Sequence, residues 1–219
     1  MQPAIKFCGL ARPDDAARAA QLGAAYVGVV LAGGPRALAA AAARKVYSGA
    51  ARHVNGGAAP RRVGVFASGT ADTIAAAAEA AGLDVVQLHG DPDPEMVRQV
   101  REQFAGEVWS VVRVVGEVPE KSYELFGVSD AIVLDKLDAR LIGGTGMSFD
   151  WRLAALSLVK RRPEKLVLAG GLRAANVRDA IRLLRPDVVD VSSGVESSIG
   201  IKDHALMKAF AAAVAAHTE

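Results

Sequence analysis

The sequence contains only one cysteine, Cys8, so it cannot form an internal disulfide, and this predicts a protein of a reducing compartment such as the cytoplasm. No apolar run reaches the ~18 residues that span a bilayer, and the stretch from Gly23 to Gly34 is too short. The first six residues lack the charged-then-apolar pattern of a secretory signal. The sequence has no large excess of charge of one sign, because 26 basic and 24 acidic residues leave a net charge of +2. This argues against a nucleic-acid binder. Because 51% of the residues are hydrophobic, we expect a folded, globular protein.

Motifs for metals and dinucleotides are also missing. The chain has no H-E-x-x-H, no cysteine cluster and no carboxylate and histidine spacing typical of a metal site. It has no G-x-G-x-x-G motif either, so a dinucleotide cofactor is not expected. The sequence therefore predicts neither a metal site nor a dinucleotide cofactor.

Short apolar runs recur along the chain, and a longer helical pattern follows each of them. Most runs are continuous rather than alternating, which is typical of parallel strands covered on both faces. The predicted strands are Ala4–Phe7, Tyr26–Val30, Arg62–Phe66, Val85–Leu88, Val108–Val112, Ala131–Leu134, Leu166–Leu168 and Val188–Val191.

Helical spacing between these runs predicts the elements that connect them. Thr70, Pro94 and Asp203 stand where helices should begin, as capping and first-turn residues. The predicted helices are Asp14–Leu22, Leu38–Tyr47, Ala71–Ala81, Pro94–Phe104, Phe149–Val159, Ala175–Leu184 and His204–Ala216, with one more near Val118–Phe126 placed only by the rhythm of the chain.

Eight strand-then-helix units in 219 residues predict an α/β protein, a (β/α)8 barrel formed as one domain by residues 1–219. A doubly wound open sheet is the alternative, because it is also built from repeated βα units.

In a barrel the active site lies at the carboxyl ends of the strands, so the residues after each apolar run are the informative ones. Those residues are Cys8, His89, Asp135, Gly170-Gly171 and Ser192-Ser193-Gly194.

Cys8 and Asp135 carry side chains suited to proton transfer. A thiolate can act as a base or nucleophile, although most lone cysteines are small buried hydrophobes. A carboxyl at an apolar strand end can have a raised pKa and act as a general acid, although Asp also forms turns and caps. Lys136, next to Asp135, should lower the pKa of that carboxyl.

The glycines and serines after the seventh and eighth strands, Gly170, Gly171, Ser193 and Gly194, suit a phosphate. Barrels often bind phosphate there through backbone N–H groups, and residues 194–203 leave room for a short extra helix. Two ordinary turns are the alternative.

Arg36 can reach a carboxylate or phosphate from the loop after the second strand, or be a solvated surface arginine.

Several motifs in this order resemble a known family, phosphoribosylanthranilate isomerase, the (β/α)8 enzyme of tryptophan biosynthesis. They run almost from end to end of the chain. The motifs are Lys6-Phe7-Cys8-Gly9, Val85 to Gly90, Leu134-Asp135, Gly143-Gly144-Thr145-Gly146 with Phe149-Asp150-Trp151, Leu168 to Leu172 with Asn176-Val177, and Val189 to Glu196 followed by Gly200, Lys202 and Asp203.

The resemblance implies an Amadori rearrangement of a phosphorylated anthranilate riboside, with no cofactor or metal. Asp135 would be the general acid and Cys8 the general base, and their surroundings should shift their pKa values in opposite directions. Arg36 would hold the anthranilate carboxylate. His89 and Asp190 would line the sugar site, and Gly170, Gly171, Ser193 and Gly194 would bind the phosphate. The expected partner is this small molecule alone, with the chain a monomer or a homodimer.

Other interpretations remain open. The second βα loop, residues 31–36, is smaller than the Ser-Pro-Arg-like turn typical of the family, which bears on the packing around the anthranilate ring and on the role of Arg36. An aminoaldose phosphate isomerase of broader specificity is also compatible with the sequence. A phosphosugar isomerase of histidine biosynthesis with paired aspartates is disfavoured, because Cys8 stands where that chemistry places a carboxylate. A non-catalytic phosphosugar-binding barrel needs neither Cys8 nor Asp135.

Overall fold

Eight parallel strands close into a barrel, in chain order, in the computed structural model, which describes residues 2–51, 58–136 and 149–216. The first strand pairs with the second and also with the eighth, which closes the sheet. This confirms the predicted barrel and rules out the open sheet, whose outer strands do not pair with each other. The strands are β1 (Ala4–Phe7), β2 (Tyr26–Ala32), β3 (Arg61–Phe66), β4 (Val85–Leu88), β5 (Glu107–Val114), β6 (Ala131–Lys136), β7 (Leu166–Leu168) and β8 (Val188–Val191).

Helices follow the strands at the predicted places, with ends that differ by a few residues. They are α1 (Pro13–Gln21), α2 (Ala40–Ala51), α3 (Ala71–Ala81), α4 (Pro94–Gln103), α5 (Trp151–Lys160), α6 (Val177–Leu184) and α7 (His204–Ala215). The segment predicted as a helix near residues 118–126 is a 3-10 helix, Glu120–Gly127. The Gly143–Gly146 motif of the sequence lies outside the described residues.

Side chains at the helix starts confirm the predicted capping signals. Thr70 caps α3 through the backbone N–H of Thr73, and Asp203 caps α7 through two backbone N–H groups. Pro94 occupies the first turn of α4, where its missing N–H costs no hydrogen bond. These caps fix the points at which the chain leaves the strand ends and turns back along the barrel.

Alternation along the strands divides the apolar residues into two sets. Outward residues such as Val27, Leu88 and Ile132 pack under the helices in one large cluster. Inward residues form a second cluster inside the barrel, which contains Tyr26, Val63, Val85, Trp109, Val111, Ala131, Val133, Val167, Ala169 and Val188. The Trp109 ring meets the Tyr26 ring edge-on, with centroids 4.9 Å apart, and its Nε1 donates to Glu107 at 2.8 Å. The amino end of the barrel is therefore filled.

The chain after β8 differs from its prediction. Instead of a short extra helix across residues 194–203, it forms one 3-10 turn (Ser193–Val195) and a small antiparallel hairpin. The hairpin strands are β9 (Glu196–Ser198) and β10 (Ile201–Lys202), and Gly200 adopts the positive φ of 78° that the tight turn requires. This hairpin places Glu196 and Lys202 beside the mouth of the barrel.

No helix among the described residues has the length and apolar character needed to cross a membrane. That residues 1–219 form one domain stays a prediction.

Gly49 provides a test of the packing between α1 and α2. A Cβ at this position would lie 2.0 Å from the carbonyl oxygen of Pro13, which is backbone and cannot move aside cheaply. We expect Gly49→Ala to lower the free energy of unfolding by about 1–3 kcal/mol, despite the ~1 kcal/mol by which Ala favours a helix. Denaturant unfolding measures this difference. Gly127→Ala is the matched control, since a Cβ there would contact nothing within 4 Å; equal stability of both variants would contradict the close packing.

Candidate active site

A cavity of about 640 Å³ opens at the carboxyl ends of the barrel strands. Every site residue predicted from the sequence lines it. Those residues are Cys8, Arg36, His89, Asp135, Gly170, Gly171, Asp190, Ser193 and Gly194. The structure thus brings together side chains and loops from six strand ends that are far apart in the chain.

A second cavity, of about 700 Å³, lies at the opposite end of the barrel. Two of its carboxylates accept hydrogen bonds from backbone groups: Asp130 accepts from the N–H of Val108, and Asp187 accepts from the N–H of Leu166. Such contacts hold strand starts in place, so this end is structural. Within the described ranges no group of three or more His, Cys, Asp or Glu residues could hold a metal ion.

The alternation of the strands explains why polar groups face the upper cavity. On β6 the inward residues are Ala131, Val133 and then Asp135, so a strand that is apolar at its start presents a carboxyl at its end. The same alternation turns inward the polar residues Lys6, Cys8, Gln87, His89, Arg113 and Asp190.

Lys6 and Asp190 form an ion pair under the floor of the cavity. The Lys6 Nζ atom lies 2.6 Å from Asp190 Oδ2, and both side chains are almost fully buried. The two residues are directly opposite each other in the β1–β8 register. Burial alone would lower the pKa of Lys6, but the attraction of Asp190 outweighs it and the pKa is raised. Lys6 is therefore a fixed positive charge below the site.

Cys8 is buried beside this ion pair, next to a glycine that leaves room for its thiol. A Cβ at Gly28 would come within 2.9 Å of Cys8 Sγ. Burial raises the pKa of the Cys8 thiol, and although Lys6 opposes the shift, the pKa stays above its usual value. The pKa of Asp135 is also raised by burial, as described below. The expectation that the pKa values of Cys8 and Asp135 shift in opposite directions is therefore wrong.

Burial likewise raises the pKa of Asp135, to about 6, and the nearby Asp190 carboxylate adds to the effect. The backbone N–H of Lys136 and the charges of Arg113 and Lys6 oppose it. Lys136 lowers this pKa through its backbone N–H, and burial outweighs that effect, so the net lowering expected beside Lys136 does not occur. A carboxyl with this pKa is partly protonated near neutrality and can donate a proton.

His89 is next to Asp135, with its Nε2 atom 3.7 Å from Asp135 Oδ2. Burial lowers the pKa of His89, and the positive charges of Arg113 and Lys6 lower it further. The imidazole is therefore neutral near pH 7 and acts as a hydrogen-bonding group rather than as a cation.

Arg113 and Gln87 also line the cavity, and neither was given a role from the sequence. Arg113 Nη2 donates to the carbonyl oxygen of His89 at 3.1 Å, and its Nε lies 3.1 Å from Asp91 Oδ1. Arg113 directly follows the predicted strand Val108–Val112, so the strand-end rule that found Cys8 would also have found it. Gln87 is an inward residue one step below His89, and the alternation of β4 was the signal.

The loops after β7 and β8 pack backbone to backbone. A Cβ at Gly170 would lie 2.5 Å from the N atom of Lys136, and one at Gly194 would lie 1.9 Å from the carbonyl oxygen of Leu172. Asn176 holds the first loop by donating to the carbonyl oxygen of Gly171 at 3.0 Å. Two loops in such close contact present their backbone groups to a single region of the cavity.

Arg36 reaches the cavity rim and is not a solvated surface residue. Its Nε and Nη2 atoms donate to the two carboxylate oxygens of Glu196, at 2.8 and 2.6 Å. Only 22% of its side chain is exposed. The guanidinium group is therefore held at one place beside Cys8.

Comparison with known proteins gives a consistent result. A family model described as N-(5′-phosphoribosyl)anthranilate (PRA) isomerase matches residues 5–213. A protein named N-(5′-phosphoribosyl)anthranilate isomerase from Acidithiobacillus ferrooxidans is 39% identical over 213 residues, which cover 96% of each chain. The crystal structure of phosphoribosyl anthranilate isomerase from Thermotoga maritima is 33% identical, with a TM-score of 0.82 and coverage of 98% of this chain and 99% of that one.

A further solved structure contains a ligand. It is described as phosphoribosyl anthranilate isomerase in complex with reduced 1-(o-carboxyphenylamino)-1-deoxyribulose 5-phosphate, and it is 31% identical, with a TM-score of 0.79 and coverage of 98% and 99% of the two chains.

The pKa of Asp135 is directly testable. Carbon-detected NMR should find this carboxyl titrating near pH 6, well above the ~3.9 of an unfolded Asp. Because the folded state then binds its proton more tightly than the unfolded state, wild-type stability falls as pH rises through this interval. Asp135→Asn removes the loss, so its stability relative to wild type should grow between pH 4 and 6 and level off above. A constant difference would contradict the raised pKa.

Proposed function

The chain belongs to the N-(5′-phosphoribosyl)anthranilate isomerase family, and from that premise we propose which of its residues carry out the reaction. The enzyme acts in tryptophan biosynthesis and converts N-(5′-phosphoribosyl)anthranilate into 1-(2-carboxyphenylamino)-1-deoxyribulose 5-phosphate. The observation that carries the proposal is that Cys8 and Asp135 line one cavity from two different strand ends. The substrate needs both a proton donor and a proton acceptor, and these are the groups that fit.

Asp135 is the general acid in this proposal. Its proton passes to the ribose ring oxygen as the bond between that oxygen and C1 breaks, which opens the ring to a Schiff base with the anthranilate nitrogen. With a pKa of about 6, roughly a tenth of the molecules carry this proton at pH 7. Because His89 beside Asp135 is neutral, it adds no positive charge that would stabilise the ionised form of the carboxyl.

Cys8 is the general base. Its thiolate removes the proton from C2 of the open sugar, and that electron pair forms the C1–C2 double bond while the C1–N π pair returns to the nitrogen, which gives an enolamine. Protonation at C1 and loss of the proton from the C2 hydroxyl then yield the ketone. Lys6 supports this role because its charge favours the thiolate over the thiol, against the effect of burial. These are internal proton transfers, so the proposal includes no metal or cofactor.

Substrate binding is divided among the remaining cavity residues. Gly170, Gly171, Ser193 and Gly194 bind the phosphate through backbone groups, which the close packing of the two loops supports. Asp190 and His89 line the sugar. Among the described residues, several buried polar atoms in the cavity have no hydrogen-bond partner, and three of these are suited to the ribose hydroxyls: Asp190 Oδ1, His89 Nδ1 and Gln87 Oε1.

Arg36 binds the anthranilate carboxylate in this proposal, because it is the charged donor of the second βα loop on the cavity rim. The same loop carries Gly33 and Gly34, which line the cavity and leave space beside the substrate. This space favours a second candidate function, the turnover of other aminoaldose phosphates. A barrel that only binds phosphosugars has no use for Cys8 and Asp135.

The proposed setting follows from the same chemistry. The partner is the small phosphorylated substrate, without nucleic acid or a membrane, and the chain works as a monomer or a homodimer. A cytoplasmic location is supported by the single cysteine, which suits a reducing compartment.

The roles of Cys8 and Asp135 are tested by Cys8→Ala and Asp135→Asn. We expect each variant to lose about 10²–10⁴-fold in kcat, because each removes one proton-transfer group. The assay follows the loss of anthranilate fluorescence from freshly generated substrate. Binding of the reduced product should persist in both variants and serves as the folding control. Asp179→Asn, on the exposed face of α6, is the matched charge control and should retain full activity. Near wild-type turnover by either site variant would refute its assigned role.

The pH dependence follows from the two raised pKa values. The active form carries a protonated Asp135 and an ionised Cys8. Between the two pKa values most molecules carry the opposite pair, an ionised Asp135 and a protonated Cys8. Above about pH 6, each rise in thiolate is cancelled by a loss of protonated Asp135, and kcat/KM should be flat up to the thiol pKa. Below about pH 6, kcat/KM should fall about tenfold per unit, since only the thiolate is still being lost. A profile that instead rises through pH 7–8 would contradict this assignment.

A further inference from the structure

Three charged side chains form a chain of contacts at the cavity rim, and two of them have no role in the proposed reaction. Glu196, on β9, accepts from both Nε and Nη2 of Arg36. Its Oε1 atom also accepts from Lys202 Nζ, on β10, at 2.9 Å, and from the N–H of Gly200 at 3.3 Å. The side chain of Glu196 is 5% exposed and that of Lys202 is fully buried.

The way Glu196 contacts Arg36 leaves a definite set of donors free. A guanidinium group has five N–H donors in a rigid planar fork. Glu196 accepts from Nε and Nη2, which form one edge of the guanidinium plane. The other edge, formed by Nη1 and the second N–H of Nη2, remains for another acceptor. That edge fits a second carboxylate with two parallel hydrogen bonds.

The charges of the group also favour an anion. The Lys202 ammonium donates to Glu196 and to the carbonyl oxygen of Ser192 at 3.1 Å, and it offsets the charge of the carboxylate. The charge of Arg36 is then left uncompensated. With these two cations beside it, the pKa of Glu196 is lowered to about 2 in spite of its burial, so the carboxylate stays ionised throughout the physiological range.

Arg36 is also confined on its other side. Its stem lies over Gly9, where a Cβ would come within 2.9 Å of Arg36 Cδ and 2.8 Å of Ser192 Oγ. Gly9 has a positive φ of 67°, so both its backbone conformation and the space above it require glycine. Arg36 is thus fixed between the loop after β1 and the hairpin after β8.

We propose that Glu196, held by Lys202, is a positioning residue that fixes Arg36 so that its free edge binds the carboxylate of the substrate. The hairpin β9–β10 thereby determines specificity for an aminoaldose phosphate whose aromatic ring carries an ortho carboxylate. This inference rests on the proposed role of Arg36. Glu196 itself touches no reacting atom.

The test compares two stable ligands that differ only in the carboxylate. One is reduced 1-(o-carboxyphenylamino)-1-deoxyribulose 5-phosphate, and the other is the same compound with an unsubstituted phenyl ring. Glu196→Gln keeps the size of the side chain but cannot accept from both Nε and Nη2. We expect it to raise the Kd of the carboxylated ligand about tenfold or more and to leave the Kd of the phenyl ligand unchanged, by calorimetry. In turnover, KM should rise while kcat changes little.

Two further variants show that the effect passes through Arg36. In an Arg36→Ala background, adding Glu196→Gln should cause no further loss, because the group being positioned is gone. Ser198→Ala, on the same hairpin and exposed, is the matched control and should bind both ligands as the wild type does. Both ligands carry the phosphate, so a general change in the potential of the cavity would alter both affinities together.

The outcomes separate this inference from the function on which it rests. Equal weakening of both ligands by Glu196→Gln, or additive losses in the double variant, would overturn the positioning role and indicate a structural one. Unchanged or tighter binding of the carboxylated ligand would also overturn it. If Arg36→Ala weakens both ligands equally, or weakens neither, then the proposed role of Arg36 itself is wrong.

Discussion

The buried ion pair between Lys6 and Asp190 is the interaction on which the rest of the site depends. It joins the first and last strands of the barrel at directly opposed positions, so it forms only when the sheet has closed. Removing two charges from water is costly, and the pair is tolerated because each charge compensates the other at 2.6 Å. The consequence is a fixed positive charge beneath Cys8 and a carboxylate whose second oxygen faces the cavity. Closure of the fold and the electrostatics of the site are therefore linked.

Burial dominates the reactive groups that surround this pair. Both Cys8 and Asp135 lie against the apolar interior of the barrel, and the pKa of each is raised for that reason. For Asp135 the shift suits a proton donor. For Cys8 it opposes formation of the thiolate, and Lys6 only partly compensates. In the proposed reaction the active form is therefore a minor protonation state, in which an ionised Cys8 and a protonated Asp135 are present together.

The proposed recognition of the substrate depends on loops that pack against one another at glycines. Gly170 and Gly194 let the chains after β6, β7 and β8 approach at backbone distance, and Gly9 leaves space for the stem of Arg36. The hairpin after β8 then extends this contact to the loop after β2 through Glu196. In the proposed binding mode, the phosphate and the carboxylate of the substrate are bound by two neighbouring parts of the same rim.

The sequence by itself determined the barrel and most of the site. Continuous apolar runs at regular spacing predicted all eight strands, and the residues that follow them included Cys8, His89 and Asp135, because the carboxyl ends of parallel strands meet at one edge. Arg113 directly follows the predicted strand Val108–Val112, so the same rule applied to the fifth strand would have found it. The tertiary structure alone decided the rest. The partners of Arg36, the pairing of Lys6 with Asp190 and the direction of the Cys8 shift depend on contacts 160 or more residues apart in the chain and on burial, and neither local spacing nor composition encodes them.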